Sequence, residues 1–378
     1  MPASPTRVAV FPLIDENPYQ RLFYQALVAH GYQAGDGELE VGWLLRARPR
    51  VRVLHFHWPH NYFRDPHRPN GLRSWLKLGL FTARLAAARL IGCRIAWTIH
   101  EVVPHVTTAR ELDRLRGAER IGSQVLARLS HVLLANDKET VELARRELGL
   151  VADRIAVVPH PSYVGVYPPG RPRAEVRREL GIPDSAFVFL LFGHVTAYKR
   201  VDVFVDAFRR AQLDDAALVV AGLVQDEPSA AKVRRAAEQD TRIKPLLEFI
   251  ADDRVAELFG AADAAIAPRQ DGGTSGALLL ALSLGVPVLA ARAATYEQIT
   301  GGETAAWLFT PHDAGSMAQA MQTAAADPAA ARAKGEAGRA LVAAVGWEEM
   351  AATAAALLDD AERRAGARRA VPLAGERA

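Results

Sequence analysis

Residues 187–208 read "FVFLLFGHVTAYKRVDVFVDAF". An unbroken apolar run ends at Gly193, a short loop carries His194 and Lys199, and an amphipathic helical pattern starts near Arg200. A strand with no polar face is buried on both sides, and one that turns straight into a helix is the first part of a βαβ unit. The same pattern recurs through most of the chain. Before it, strand patterns at 7–11, 51–56, 94–100, 132–135 and 155–159 alternate with helical patterns at 18–30, 71–91, 107–128 and 137–148. After it, strands are expected at 217–222, 244–250, 264–268 and 286–290, and helices at 198–211, 227–240, 252–261 and 275–284. Between the two series "VGVYPPGRPRA" (164–174) concentrates Pro and Gly and reads as a linker.

The expected fold class is therefore α/β, with two Rossmann-like domains over 1–165 and 175–346. Alanine-rich helices follow from 312, the last over 347–365 and expected to cross back to the first domain. The polar residues 366–378 read as a disordered tail. Ligands of doubly wound sheets bind outside the carboxyl ends of the strands, so a cleft between the domains is the expected site.

Bulk properties narrow the classes. At 378 residues, 50% apolar and 24% charged, the chain suits two globular domains. A net charge of +3 is too small to imply a nucleic-acid partner. Cys93 is the only cysteine, so no internal disulfide forms and a reducing cytoplasm is expected. The N-terminus shows no signal-peptide core. The longest apolar run, 78–92, is interrupted by Arg84 and Arg89, so no membrane span is expected.

Two strand ends in the second domain carry anion chemistry. Gly193 lets the backbone turn sharply beside His194 and Lys199, a lysine at a helix entrance. "RQDGGTSG" (269–276) leads into helix 275–284, whose first N–H groups are unpaired and whose end Thr274 and Ser275 can cap. Alone, the first is as readily a solvated basic loop and the second a plain βα turn. Together they make a diphosphate site built from Lys199, His194 and a helix N-terminus. No Asp-x-Asp motif offers a metal for that diphosphate.

These motifs resemble a known family. "FGHVTAYKRVDVFVDAF" followed by "ADAAIAPRQDGGTSGALLLALSLGVPVLA" is similar to the donor half of a GT-B glycosyltransferase of the large retaining mannosyl- and glucosyltransferase superfamily. "NPYQRLFYQAL", "LHFHWPH", "AWTIHEVVPH" and "VVPHPSYVGVYP" resemble a bacterial subgroup containing exopolysaccharide mannosyltransferases. The resemblance implies an N-terminal acceptor domain and a C-terminal domain for a GDP- or UDP-linked sugar, with no other cofactor. It implies that Lys199 holds the donor diphosphate, that His194 replaces the usual arginine, and that His100 contacts the transferred sugar. Gly276 and its neighbours would approach the donor phosphates. The chain departs from the family where most relatives carry two glutamates, here Gly272 and Leu280, and "FPLIDENPY" lacks the usual paired glycines.

On the acceptor side Asp15, Glu16 and Glu101 lie at strand ends, each a candidate base if the reaction inverts. In a retaining front-face reaction the leaving phosphate itself takes the proton. "HFHWPH" groups His55, His57 and His60, but no cysteine or spaced carboxylate completes a zinc site, so no metal is expected. His57 and Trp58 are candidate acceptor contacts, Trp58 by stacking on a sugar or by lining the cleft. Helix 71–91 carries basic residues at 73, 77, 84 and 89, compatible with a crossover helix or with docking on a membrane that holds a lipid-linked acceptor. The acceptor is expected to be a saccharide, a glycolipid or a small metabolite. A nucleotide-sugar epimerase or hydrolase, and a nucleotide-sugar-binding protein without turnover, are the alternatives on the same fold.

Overall fold

The computed structural model describes residues 6–48, 50–65, 68–102, 117–269 and 273–370. The first part of the expected helix 107–128 and the position Gly272 lie outside the described residues. The chain forms two units, one from residues up to His160 together with those from Trp347 onward, the other from Pro161–Gly346.

The first unit is a parallel sheet in the order β2-β1-β3-β4-β5-β6. Its strands are β1 (Thr6–Phe11), β2 (Tyr32–Asp36), β3 (Val51–Phe56), β4 (Arg94–Ile99), β5 (Val132–Ala135) and β6 (Ile155–Val157). The second is a parallel sheet in the order β12-β11-β10-β7-β8-β9. It comprises β7 (Phe187–Phe192), β8 (Ala216–Ala221), β9 (Ile243–Leu246), β10 (Ala264–Ile266), β11 (Val288–Ala291) and β12 (Ala306–Phe309). Every residue of β5 and β8 is buried, as strands covered by helices on both faces must be.

In each sheet the winding reverses beside the first strand, between β1 and β3 and between β7 and β10. At such a switch point the loops leaving the two strands part to opposite faces and open a crevice at the carboxyl edge.

Two edge strands, β2 and β12, were not legible in the sequence. "YQAGD" holds Gly and Asp, and "AWLF" is four residues long, so neither shows strand periodicity. The chain passes between the units at His160 rather than at 165, and 161–172 is tied to the second unit. Tyr163 N–H donates to Ser283 Oγ at 2.8 Å, and the Arg171 guanidinium pairs with Glu257 at 2.7 Å. The Pro- and Gly-rich stretch is thus a pinned strap, with Gly170 lying so close to the backbone at Glu257 that no Cβ would fit.

The last helix, Trp347–Ala370, lays Met350, Ala351, Ala354, Ala355 and Leu358 into the core of the first unit with Phe23 and Leu27 of helix Pro18–Leu27. Tyr32 donates to Asp359 at 2.6 Å on the same face. The helix runs past the expected stop at 365, because Gly366 alone costs only about 1 kcal/mol and Pro372 is the first residue that breaks the pattern. By composition the run Pro328–Arg364 is apolar and long enough to cross a bilayer, yet it is two helices with a break at Gly346. The first of these, Pro328–Val342, presses Gly335 and Gly338 onto Gly285 and Leu282 of its own unit.

A buried cation locks the start of the second sheet. Arg177 is fully buried, donates to the carbonyls of Ala261, Asp184 and Ala186, and pairs with Asp263 at 2.7 Å. Asp263 also accepts the N–H of Val188 on β7 at 2.8 Å. Removing one partner of such a pair leaves the other charge buried and uncompensated, at a cost of roughly 3–5 kcal/mol. Arg177→Ala should therefore lower the urea midpoint of the second unit sharply, whereas Arg145→Ala in an exposed pair should leave it within error. Equal midpoints for Arg177→Ala and wild type would contradict this lock.

Candidate active site

The second unit's switch point is flanked by the two loops singled out in the sequence. After β7, Gly193 takes φ +108°, which an L side chain rarely adopts, and Lys199 Nζ would lie 3.1 Å from a Cβ placed there. The loop is moored to the strand beside it: Gly193 N–H donates to Ala221 O and Val195 N–H to Leu223 O, both at 2.9 Å. Lys199 is half-buried and, among the described residues, makes no ion pair or hydrogen bond. Burial pushes its pKa down to about 8. His194 is exposed, and desolvation together with the charge of Lys199 holds its pKa below the ordinary histidine value. It therefore offers a neutral imidazole at neutral pH, and Lys199 the charge.

After β10 the chain turns through Gly273, at φ +76°, into helix Gly276–Ser283. Ser275 caps the helix by accepting the N–H of Leu278, and Gly276 is exposed at its first turn. Tyr163, on the pinned strap, closes the side of Gly276. Arg269 lies across this turn, its Nη1 3.5 Å from Thr274 O and its Nη2 3.1 Å from the Cβ position of Gly273. The sequence reading passed over Arg269; its place directly after strand "AAIAP" was the available signal. Since β7 and β10 are hydrogen-bonded neighbours, the Lys199 loop and the Arg269 turn leave adjacent strand ends. Leu280, where the family resemblance leads one to expect a glutamate, is buried in the helix's packed face.

The first unit's switch point gathers histidines. His55 and His57 are buried and His100 is partly exposed. Tyr24 Oη lies 2.8 Å from His55 Nδ1 and 2.7 Å from His57 Nε2. His57 Nδ1 lies 2.9 Å from His100 Nε2, and His55 Nε2 2.9 Å from Thr98 Oγ1. Burial pushes His55 and His100 down to about 3, with His160 adding to the effect on His100, and holds His57 well below the usual range. Every ring nitrogen but His100 Nδ1 is spent on Tyr24, Thr98 or a neighbouring ring, and among the described residues no three His, Cys, Asp or Glu side chains are grouped to hold a metal ion.

Trp58 stacks on His100 with centroids 4.5 Å apart and planes at 15°, so one face of its indole is already covered. Asp15 and Glu16 are exposed in the loop after β1. Gln20 shapes that loop by accepting from Ile14 N–H and donating to Pro12 O.

Glu101 has a different place from the free base considered in the sequence. Its carboxylate is 3.4 Å from Nε2 of buried His60, whose Nδ1 meets Glu119, and Glu119 pairs with Arg64 at 2.5 Å. Burial opposes charge on His60, but hydrogen bonds to Glu101 and Glu119 outweigh it and raise its pKa to about 9.

The chain is similar to known proteins in sequence and in fold. Residues 186–327 match the family model described as glycosyl transferases group 1. A GDP-mannose:glycolipid 4-beta-D-mannosyltransferase of Xanthomonas campestris is 27% identical over 303 residues, 79% of this chain and 76% of the relative. A D-inositol 3-phosphate glycosyltransferase of Xylanimonas cellulosilytica is 26% identical over 63% of this chain and 58% of its own length. Among solved structures, the sucrose-phosphate synthase of Thermosynechococcus elongatus superposes with TM-score 0.71 at 17% identity, covering 96% of this chain and 100% of that one. HepE of Anabaena, solved with UDP and glucose, superposes with TM-score 0.73 at 14% identity, covering 94% and 100%.

The His60 cluster has a signed consequence. Its pKa of about 9 exceeds the ordinary 6.5, so its stabilisation is complete below 6.5 and lost as pH rises through about 9. The denaturation midpoint of wild type should fall between these values, and His60→Gln should flatten that fall. An equal fall in both proteins would place the titration elsewhere.

Proposed function

We propose, for a chain that is a glycosyltransferase of the GT-B superfamily, that its second unit holds a GDP-linked hexose through Lys199 and Arg269 without a metal ion, and that it glycosylates a membrane-bound glycolipid. One observation carries the donor assignment: a half-buried lysine with no partner among the described residues stands at the switch point beside a capped helix N-terminus. A diphosphate would supply the missing counter-charge.

Breaking the bond from anomeric carbon to diphosphate builds negative charge on the leaving oxygen. Donors fixed beforehand around that oxygen stabilise the transition state more than the ground state. Lys199, the Arg269 guanidinium and the first N–H groups of helix Gly276–Ser283 are such donors, and His194 adds a neutral N–H. Buried Leu280 offers no polar group, so in this reading backbone and turn groups hold the donor. His100 is the neutral imidazole that the family resemblance assigns to the transferred sugar. Asp15 and Glu16 remain the exposed carboxylates for the acceptor hydroxyl.

GDP-mannose and a glycolipid are favoured by the Xanthomonas relative's name. Helix Leu72–Ile91 supports the membrane part: Leu72, Trp75, Leu76 and Leu80 are 76%, 42%, 65% and 52% exposed. Their spacing puts them on one stripe, flanked by exposed Arg73, as a peripheral surface on the cytoplasmic leaflet requires. A crossover helix with snorkelling basic residues does not need exposed leucines.

Incubation with GDP-mannose, UDP-glucose and dTDP-glucose, following thermal stabilisation and nucleotide release, tests the donor reading. GDP-mannose should stabilise most. Lys199→Ala should weaken binding at least about 30-fold, the loss of roughly 2 kcal/mol or more expected when one partner of a held charge pair is removed. Wild-type affinity should weaken above the Lys199 pKa of about 8, approaching about tenfold per pH unit as the ammonium is lost. Undiminished binding by Lys199→Ala would show that the phosphate site is elsewhere, and nucleotide release without any acceptor would mark a hydrolase. Leu76→Glu should abolish sedimentation with anionic vesicles while sparing nucleotide binding; unchanged sedimentation would return this helix to a crossover role.

A further inference from the structure

The four hydrogen bonds joining Thr98, His55, Tyr24, His57 and His100 form one unbranched chain from the sheet interior to a partly exposed ring. A tyrosine hydroxyl has one proton to give, and a neutral imidazole donates through one nitrogen and accepts through the other. Tyr24 is bonded to a histidine on each side, so it donates to one and accepts from the other. That choice propagates. If Tyr24 donates to His57 Nε2, His57 carries its proton on Nδ1 and donates to His100 Nε2, which leaves the His100 proton on Nδ1. If Tyr24 donates to His55 Nδ1 instead, every bond reverses and His100 Nδ1 becomes a lone pair. Only these two arrangements satisfy all four contacts with uncharged rings.

Thr98 decides between them. Its hydroxyl is buried and, among the described residues, His55 Nε2 is its one hydrogen-bond partner. In the reversed chain Thr98 accepts from His55 and its own proton is left without an acceptor, a costly state inside a protein. In the forward chain each buried proton is donated. The burial that keeps these rings uncharged, together with the stacking of Trp58 on His100, keeps the chain in this all-or-none form.

We propose that Tyr24 and His57 are positioning residues that fix His100 as the Nδ1–H tautomer, so that it presents a hydrogen-bond donor, and not a base, to an oxygen of its ligand. The identity of that ligand as a sugar rests on the function proposed above; the tautomer does not. No net proton moves, because a proton taken up at His100 would have to charge rings that burial keeps neutral. His57 therefore acts through another ring, where the sequence placed it as an acceptor contact.

Histidine-selective nitrogen-15 labelling and long-range proton–nitrogen spectra of the ligand-free protein near neutral pH read this directly. The expected result is an Nδ1–H pattern for His55, His57 and His100 together. In Tyr24→Phe, His57 is no longer held to one tautomer, and the His57 and His100 signals should show Nδ1–H and Nε2–H forms mixed. Donor KM should change less than twofold while kcat falls tenfold or more. A wild-type spectrum with His100 in the Nε2–H form overturns the proposal even if the variant does not fold. So does a folded Tyr24→Phe whose His100 signal matches wild type. Failure of every nucleotide sugar to bind would sink the donor reading and leave the tautomer result standing.

Discussion

An ammonium group half removed from water, with no carboxylate beside it among the described residues, raises the free energy of the empty protein. The second unit is built around tolerating that state at Lys199. The cost shows in a pKa lowered to about 8, and it is bearable because partial exposure lets water reach the group. What holds Lys199 there is the rigid edge behind it: β7 between β8 and β10, the loop bonded to the end of β8, and Gly193 in a conformation that brings the backbone under the amine. Arg177 and Asp263 in turn fasten β7 to its neighbours. In the proposed function, a diphosphate would meet this cation, the Arg269 guanidinium and the first N–H groups of helix Gly276–Ser283. Preorganisation of this kind is what makes electrostatic stabilisation effective.

The first unit handles charge in the opposite way. Its switch point carries a relay of uncharged imidazoles, while a strongly held histidine cation, His60, is buried against Glu101 and Glu119. The separation is chemically apt. A sugar acquiring positive character at its anomeric carbon is opposed by a nearby imidazolium and tolerates a neutral N–H. Leaving-group charge and sugar charge thus call for different surroundings.

The two-sheet architecture was legible because doubly buried strands read as unbroken apolar runs, of which "FVFLLF" is the clearest. Edge strands were not, since β2 and β12 need no such run. Lys199, His194 and the Thr274–Gly276 turn were legible from their position at strand ends. Arg269 was missed because an arginine in a loop is usually solvated. The roles of Glu101 and Trp58 depend on partners distant in sequence, Glu101 on His60 and Trp58 on His100, which no local pattern displays. The relay shows the same limit: "HFHWPH" announced clustered histidines, but Tyr24 and Thr98 join them only through folding.

The central claim is that a nucleotide diphosphate seats at the β7/β10 switch point of the second unit. Amide hydrogen exchange of the full-length protein, with and without GDP-mannose, measures this most directly. The account predicts that slowing concentrates in peptides covering 193–201 and 273–283, with exchange in β12 and in helix Pro328–Val342 unchanged. Slowing confined to other segments of the second unit, or none at saturating nucleotide, would contradict it.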